Sequence, residues 1–528
     1  MKNWVKKFII GVCAVMLTAC AVQGEGSAAP TATASDEPVS GGTYIVRGAG
    51  DPYSFNPDLK VDDWGVVTYQ NIFNRLVKQT VSNEVVGDLA ESWEFSDDGL
   101  TLTFHLHEGV KWHDGEPFSS EDVKWTFDKI RTEGYQSNSF KQLSEITCPD
   151  ENTVVFHLSE PNSGIVATIG WLGTFIMPKH IYDTPDYDWS TNPANFQPVG
   201  TGPFKFVEHK KGVSITLERN DEYWGDTPIL DKIIFSIIPD EMTAYQAFLQ
   251  DEVDYLGTGV PSTNTNDFDD NPDYEVYLQL SMNRLYLAFN FEDEHFSKPE
   301  VRKAVAMGVD RQMIYDRVAN GVGGVAETFI SPMAEDFADD RYTMPEHNVE
   351  QARKLLEQAG YTANADGYYF SMEFSVFENG NYKEIAEIIQ QNLKEIGIDM
   401  RINMMDYAIW TEKVKQNKEY QMTMSAGYQG PDVSGIAGRV STHGSNNFMN
   451  FSNARLDECL EEALKTSDHE TRKAYYSEVQ KIMSEEMPMA ILLDNGVKTP
   501  IKKYLSGVPL QVPDKAASGE FTYTQINK

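Results

Sequence analysis

The sequence is poor in cysteine, in basic residues and in long apolar runs. Four cysteines occur in 528 residues, and 44 lysines and arginines stand against 80 aspartates and glutamates. The formal net charge of −36 excludes a nucleic-acid-binding surface, because no basic stripe offsets it. The sequence also lacks a G-x-S-x-G elbow, a Walker A loop and an H-E-x-x-H motif. We therefore expect neither an enzymatic activity nor a cofactor.

An apolar run occupies residues 8–17, directly after Lys2, Lys6 and Lys7. It is shorter than the roughly 20 residues that span a bilayer, and it is typical of a signal-peptide core. Residues 17–20, Leu-Thr-Ala-Cys, are similar to a lipobox. We expect residues 1–19 to be a lipoprotein signal peptide and Cys20 to be acylated. The alternative is an ordinary cleavage site with a chance cysteine.

Residues 20–40 are rich in Ala, Gly, Ser, Thr and Pro, which predicts a flexible tether. Beyond the tether, Cys148 and Cys459 remain. A disulfide between them is one alternative, and we expect two buried thiols instead. The length after the tether exceeds what one hydrophobic core usually organises, so at least two domains are expected.

Two stretches carry local patterns of opposite kinds. Residues 100–106 alternate apolar and polar side chains, and the turn residues 96–99 precede them, which predicts a β-hairpin. Residues 348–404 predict a capped helix ending at Gly360, a strand near Phe374, a helix with Ile385 to Leu393 inward, and a strand from Ile398. The latter part is a βαβ unit, which indicates a parallel or mixed sheet.

Five ordered segments resemble the family 5 extracellular solute-binding proteins, the oligopeptide, dipeptide and nickel-binding group of ABC importers. The segments are 89–130 (LAESWEFSDDGLTLTFHLHEGVKWHDGEPFSSEDVKWTFDKI), 198–208 (PVGTGPFKFVE), 217–224 (LERNDEYW), 301–314 (VRKAVAMGVDRQMI) and 427–458. The resemblance covers essentially the whole chain after the tether. Most of these motif residues serve architecture, and we expect Trp93, Trp112 and Trp125 to be core aromatics.

The resemblance implies an α/β fold of the two-lobe, periplasmic-binding-protein-like kind (type II, with an extra subdomain in lobe I). Lobe I would comprise residues 41–280 with 495–528 returning to it, and lobe II residues 283–490. Two hinge strands would join the lobes, crossing near residues 280–284 and 492–495.

The implied function is a lipid-anchored, extracytoplasmic receptor that captures short peptides for an ABC permease and its ATPases. It would lie on the outer face of the plasma membrane, or in the periplasm of a Gram-negative host, and we expect a monomer. The alternatives are a nickel chelate or an oligosaccharide as the solute, and a peptide sensor or an envelope chaperone in place of a bulk importer.

In the family, the loop after residue 425 contributes to the lobe II wall of the pocket. The ligand-binding candidates there are Tyr428, Asp432, Arg439, His443 and Asn447. Arg439 offers a fork for a ligand carboxylate, and Asp432 offers a carboxylate for an amine. A polar surface loop is the structural alternative.

From lobe I, Tyr53 and Phe55 match a pocket-edge loop of the family, and Trp171 and Phe175 match a segment near the ligand. Either pair is equally well explained as core. In peptide-binding relatives an aspartate of the lobe II loop pairs with the ligand's α-amino group, and Gly427 stands where that aspartate is expected. We therefore expect Asp432 to take the amine.

Two patterns suggest metal ligands without completing a site. His105 and His107 share one strand face, and residues 362–373 partly match a calcium-binding loop. No third ligand accompanies the histidines, and Thr362 stands where the loop needs an aspartate. We expect no metal at either place.

Overall fold

The computed structural model describes residues 41–60, 63–171, 173–257 and 259–528. The expected signal peptide, the tether and Cys20 lie outside these described residues. No helix within them combines the length and the hydropathy needed to cross a membrane.

Most strands of the described part are short. The two long strands lie between the first half of the chain, up to Leu280, and the second half, from Arg284. The strands are β1 (Thr43–Gly48), β2 (Val77–Gln79), β3 (Val85–Gly87), β4 (Ala90–Phe95), β5 (Thr101–Leu106), β6 (Leu143–Asp150), β7 (Thr153–Leu158), β8 (Phe204–Lys210), β9 (Ser214–Arg219), β10 (Lys232–Ile237), β11 (Tyr274–Phe289), β12 (Gly324–Val325), β13 (Phe370–Phe377), β14 (Ile398–Met405), β15 (Met422–Tyr428), β16 (Met489–Lys502), β17 (Leu505–Ser506) and β18 (Gln525–Ile526).

The longer helices lie mostly in the second half of the chain. The α-helices are α1 (Asp63–Ile72), α2 (Ser120–Glu133), α3 (Ile165–Ile169), α4 (Lys179–Tyr182), α5 (Glu241–Leu249), α6 (Pro299–Gly308), α7 (Arg311–Val318), α8 (Val349–Gln358), α9 (Tyr382–Glu395), α10 (Tyr407–Trp410), α11 (Ala437–Val440), α12 (Ala454–Leu464) and α13 (His469–Glu486).

The predicted βαβ unit is confirmed as β13, α9 and β14. The two strands are parallel, with Phe374 opposite Ile402, and α9 buries the apolar face that contains Ile385, Ile389 and Leu393. The capped helix before it is confirmed as α8, where the Asn348 side chain accepts a hydrogen bond from the Gln351 amide at 2.9 Å. Local periodicity and capping therefore determine these elements.

This unit belongs to a six-stranded mixed sheet with the order β12-β16-β11-β15-β13-β14. β15 runs parallel to β13 and antiparallel to β11. The carboxyl ends of β13, β14 and β15 consequently lie at one edge of the sheet. In open α/β sheets ligands bind outside the carboxyl ends of the strands, so a binding site is expected at this edge.

The first half of the chain forms antiparallel sheets. The predicted hairpin is confirmed as β4 and β5, which continue into the sheet β4-β5-β7-β6. A second four-stranded sheet has the order β1-β10-β9-β8, in which β1 and β10 are parallel. Trp112 is buried in this half, and Trp93 and Trp125 pack against its core, as predicted.

The buried side chains form two large clusters. The first core draws on residues 44–255 and also on Ile501, Leu505, Val508 and Phe521. The second core draws on residues 285–493. A third, smaller cluster lies within residues 244–268 and packs against the start of β11.

Strands β11 and β16 run past both cores as an antiparallel pair. Residues 274–280 pair with 496–502, whereas 284–288 pair with 489–494, and the register is irregular between Leu280 and Arg284. Arg284 has no exposed side-chain surface, and its Nε donates to Asp494 Oδ1 at 2.5 Å. The same guanidinium donates to the carbonyl oxygens of Phe329 and Thr328, so the charge is fully satisfied.

The two cysteines of the described part are free, as expected. Cys459 is buried in the second core, and Cys148 is partly buried, with its Sγ 3.3 Å from the Ser120 carbonyl oxygen. No group of three or more His, Cys, Asp and Glu side chains among the described residues is arranged to hold a metal ion. Of the two histidines on β5 and just after it, His105 is exposed and His107 packs on Trp224.

Candidate interlobe site

Residues from the two halves meet at the carboxyl edge of the six-stranded sheet. The ring of Trp171, which follows α3, stacks on the ring of Tyr428 at the end of β15, with centroids 5.0 Å apart and planes 8° from parallel. Partial burial raises the pKa of the Tyr428 hydroxyl, which stays neutral at physiological pH. The structure therefore brings together two of the candidate residues, one from each half.

Hydrogen bonds also join the two halves. Gln79 Nε2 donates to the Pro431 carbonyl oxygen at 2.9 Å, and Asn83 Nδ2 donates to that of Met333 at 2.8 Å. Farther along, the Ser163 amide donates to the Leu464 carbonyl oxygen at 2.9 Å. These bonds end on backbone carbonyl groups, so the contact is specific in geometry and carries little charge of its own.

The halves also approach closely beside the loop that follows β15. A Cβ atom added to Gly164 would lie 3.0 Å from Ser434 Oγ and 3.4 Å from Asp432 Oδ1. A glycine at position 164 therefore lets the backbone of the first half come against this loop.

Asp432 has partners within its own half. Its Oδ1 accepts from Arg472 Nη2 at 2.7 Å and from the Ser434 amide at 2.9 Å. Burial lowers the pKa of Arg472, and the Asp432 carboxylate more than offsets this, so the pKa is raised overall. The structure thus gives Asp432 a structural partner and a capping role at the place where we expected it to await a ligand amine.

Arg439 lies behind the end of β15. Only 7% of its surface is exposed, and its Nη2 donates to the Tyr428 carbonyl oxygen at 2.9 Å. Its guanidinium also lies over the ring of Tyr286, 5.9 Å from the centroid. This candidate is therefore connected to the aromatic stack through the backbone of Tyr428.

His443 and Asn447 occupy the far part of the same loop. His443 is exposed, whereas Asn447 is buried and holds the loop together. Asn447 Nδ2 donates to the carbonyl oxygens of Ser441 and Phe451 at 2.9 and 2.7 Å. The structure gives Asn447 a loop-stabilising role and brings neither residue to the Trp171–Tyr428 contact.

Two of the lobe I candidates lie in the first core. Phe55 and Phe175 are each 1% exposed. Phe55 packs against Phe206, and the Arg75 guanidinium covers the Phe175 ring at 3.7 Å. Both are explained by core packing, the alternative left open above, because their neighbours leave no surface for a ligand.

Tyr53 lies outside that core. Its side chain is 64% exposed, and the Lys60 ammonium lies 5.1 Å from its ring centroid. It is placed on the surface.

A cavity of about 390 Å³ lies beside the crossing strands, at the same edge of the sheet. Its wall includes Asn283 on β11, Asn379 and Asn381 after β13, and Tyr382 at the start of α9. These residues were not among the candidates predicted from the sequence. Their position directly after a predicted parallel strand was the available signal, since such loops line ligand sites in α/β sheets.

The contact combines stacked aromatic rings and amide donors, and a buried guanidinium lies beside it. Groups of these kinds can bind a small polar solute by hydrogen bonds, stacking and charge. Together, the two cores, the paired crossing strands and the polar contact define a two-lobe solute-binding protein.

The comparisons with known proteins agree with this class. The family model of the bacterial extracellular solute-binding proteins, family 5 (Middle), matches residues 84–447. The chain belongs to that family, and the resemblance stated from five sequence segments is confirmed.

Curated relatives and known structures extend the match over most of the chain. It is 27% identical over 496 residues to the dipeptide-binding protein of Escherichia coli, covering 88% of this chain and 91% of that one. It is 26% identical to the oligopeptide-binding protein AppA of Bacillus subtilis, covering 92% of each. The substrate-binding protein CtaP of Listeria monocytogenes has the same fold, with a TM-score of 0.81 at 23% identity over 93% of this chain and 100% of that one.

Proposed function

We propose that this protein captures short peptides outside the cytoplasm and delivers them to the permease of an ABC importer. The observation that carries the proposal is the contact between Trp171 and Tyr428, which joins the two halves at the carboxyl edge of the sheet. The names of the E. coli and B. subtilis relatives support peptides as the solute. Micromolar affinity corresponds to about 8 kcal/mol, which a few hydrogen bonds, an ion pair and aromatic burial can supply.

The proposed lobes are residues 41–280 with 495–528 and residues 283–490. The division of the buried side chains into two cores supports these bounds. The irregular register of β11 and β16 between Leu280 and Arg284 supports a hinge there. A solute that contacts both lobes only when they close shifts the population toward the closed form, which then docks on the permease.

The proposed binding surface combines Trp171 and Tyr428 with Arg439. The asparagine-rich cavity beside the crossing strands extends it. Backbone and amide groups in such a cavity suit the peptide bonds of a short peptide, because they supply both donors and acceptors.

The family is extracytoplasmic, and we propose that this chain is anchored there by acylated Cys20. One acyl chain gives marginal membrane binding, so stable anchoring takes the two or more chains expected on this cysteine. Cys20→Ser should release the protein into the soluble fraction, as measured by fractionation and immunoblotting. A Cys20→Ser protein that stays in the membrane fraction would contradict the anchor. We further propose that the protein acts as a monomer without enzymatic activity.

Titration calorimetry with trialanine tests the proposed solute, and small-angle scattering tests the closure. We expect micromolar binding and a smaller radius of gyration with peptide. Phe196→Ala should leave both measurements unchanged, because Phe196 is an exposed aromatic of the first half and lies outside the contact. Binding without compaction would contradict closure, and failure of trialanine and of a mixed peptide library to bind would contradict peptides as the solute.

A further inference from the structure

The guanidinium of Arg439 occupies the space that a side chain at position 427 would take. A Cβ atom added to Gly427 would lie 2.5 Å from Arg439 Nη2. Gly427 precedes Tyr428 at the end of β15, so the charge lies against the strand end that faces the other half. The glycine and the arginine thus form one feature: the missing side chain makes room for the cation.

Arg439 differs from the other well-buried arginines near the sheet in having no carboxylate. Arg284 is paired with Asp494, and Arg472 is paired with Asp432. No carboxylate of the described residues forms an ion pair with Arg439, and its Nε is buried without a hydrogen-bond partner. A buried guanidinium cannot lose its proton, so the charge has to be met by another group.

A second donor of the same loop is also unmet. Gln429 is 4% exposed, and its Nε2 is buried without a hydrogen-bond partner. Both unmet groups are N–H donors, which favours an acceptor and disfavours an ammonium. The nearest acidic residue of the loop, Asp432, is already engaged by Arg472.

We propose that Gly427 and Arg439 form an anion subsite that takes a carboxylate of the bound solute. This inference rests on the proposed function and narrows it to solutes that present a carboxylate, and not a free amine, to the end of β15. A carboxylate can accept from Arg439 in a charge-assisted hydrogen bond. An ammonium at the same place would be repelled by the guanidinium.

Three probes separate the two ends of a peptide: trialanine, N-acetyl-trialanine and trialanine amide. Calorimetry on the wild-type protein should give similar affinities for the first two, within about 3-fold. The amide should bind at least about 30-fold more weakly, the loss expected when one partner of a buried charge pair is removed.

Arg439→Gln should abolish this discrimination between acid and amide, and Arg439→Lys should retain part of it. Arg455→Gln is the matched control, because Arg455 is an exposed arginine paired with Glu458 on α12 and should leave all three affinities unchanged. Gly427→Asp is a second variant: its carboxylate would pair with Arg439, so acid and amide should bind alike. Circular dichroism melting identifies any variant that fails to fold, and the wild-type comparison alone still decides the proposal.

The outcomes distinguish the proposal from the function on which it rests. If the amide binds as well as trialanine and acetylation abolishes binding, the subsite takes an amine and the proposal is overturned while peptide binding stands. If none of the three probes binds and a mixed peptide library also fails to bind, peptides as the solute are overturned and this proposal falls with them.

Discussion

Two buried arginines lie near the crossing strands β11 and β16, and they differ in whether a carboxylate neutralises their charge. Arg284 on β11 has an aspartate at 2.5 Å and two backbone carbonyl partners. Arg439, in the loop after β15, has one backbone carbonyl partner and no ion pair among the described residues. The first charge is neutralised within the fold, so it serves the structure. The second has no counter-charge within the described part of the chain and lies beside the strand end that contacts the other half, as a binding group for an anion requires.

The largest expected effect comes from breaking the satisfied pair. Asp494→Asn leaves the buried Arg284 guanidinium without its counter-charge and should lower the free energy of unfolding by about 3–5 kcal/mol. Urea denaturation followed by circular dichroism measures this. Glu458→Gln, in the exposed Arg455–Glu458 pair, is the control and should cost less than about 1 kcal/mol. Equal losses of unfolding free energy in the two variants would contradict a structural role for the Arg284–Asp494 pair.

His113 extends this comparison to a buried base that, unlike an arginine, can lose its proton. Burial lowers the pKa of His113 to about 4, and its ring nitrogens bond the Gly200 amide and the Gly202 carbonyl oxygen. The unfolded chain, with a pKa near 6.5, binds this proton more tightly. Stability should therefore fall as the pH drops from about 6.5 to about 4, by about 3 kcal/mol from this group.

Urea denaturation across that pH range measures the effect. His113→Gln keeps hydrogen-bonding groups without titrating, so this part of the pH dependence should disappear. An unchanged pH slope in His113→Gln would contradict the assignment.

Asp432 tests whether its carboxylate belongs to the structure or to the ligand. Asp432→Asn weakens the bond to Arg472 and should lower the free energy of unfolding by about 2 kcal/mol. Because Arg472 already engages the carboxylate, the ratio of affinities for trialanine and its N-acetyl form should stay the same. Calorimetry with both peptides measures this ratio. A selective loss of free-amine peptide binding would restore Asp432 as the amine partner.

The smallest expected effect concerns the aromatic stack between the halves. A double-mutant cycle with Trp171→Ala and Tyr428→Ala should give a coupling of about 1 kcal/mol in trialanine affinity, since the stack forms when the halves are in contact. The same cycle with Phe196→Ala in place of Trp171→Ala should give no coupling. Zero coupling for Trp171 and Tyr428 would show that the stack does not contribute to the bound form.

Neighbouring residues along the chain were enough to predict the local elements and the family. The alternation in β5, the cap of α8 and the βαβ unit depend on neighbouring residues, whose spacing can be read directly. The five motif segments indicated the family because each of them is also a run of neighbouring residues.

Which of the candidate residues share a site depends on the tertiary fold. Phe55 and Phe175 have the same apolar character as surface aromatics, and their burial follows from neighbours distant in sequence. Asp432 meets Arg472 from another helix, and Trp171 meets Tyr428 from the other half. The guanidinium at Gly427 is a consequence of how a loop folds back on a strand end. Such pairings join segments through space, and no periodicity along the chain records them.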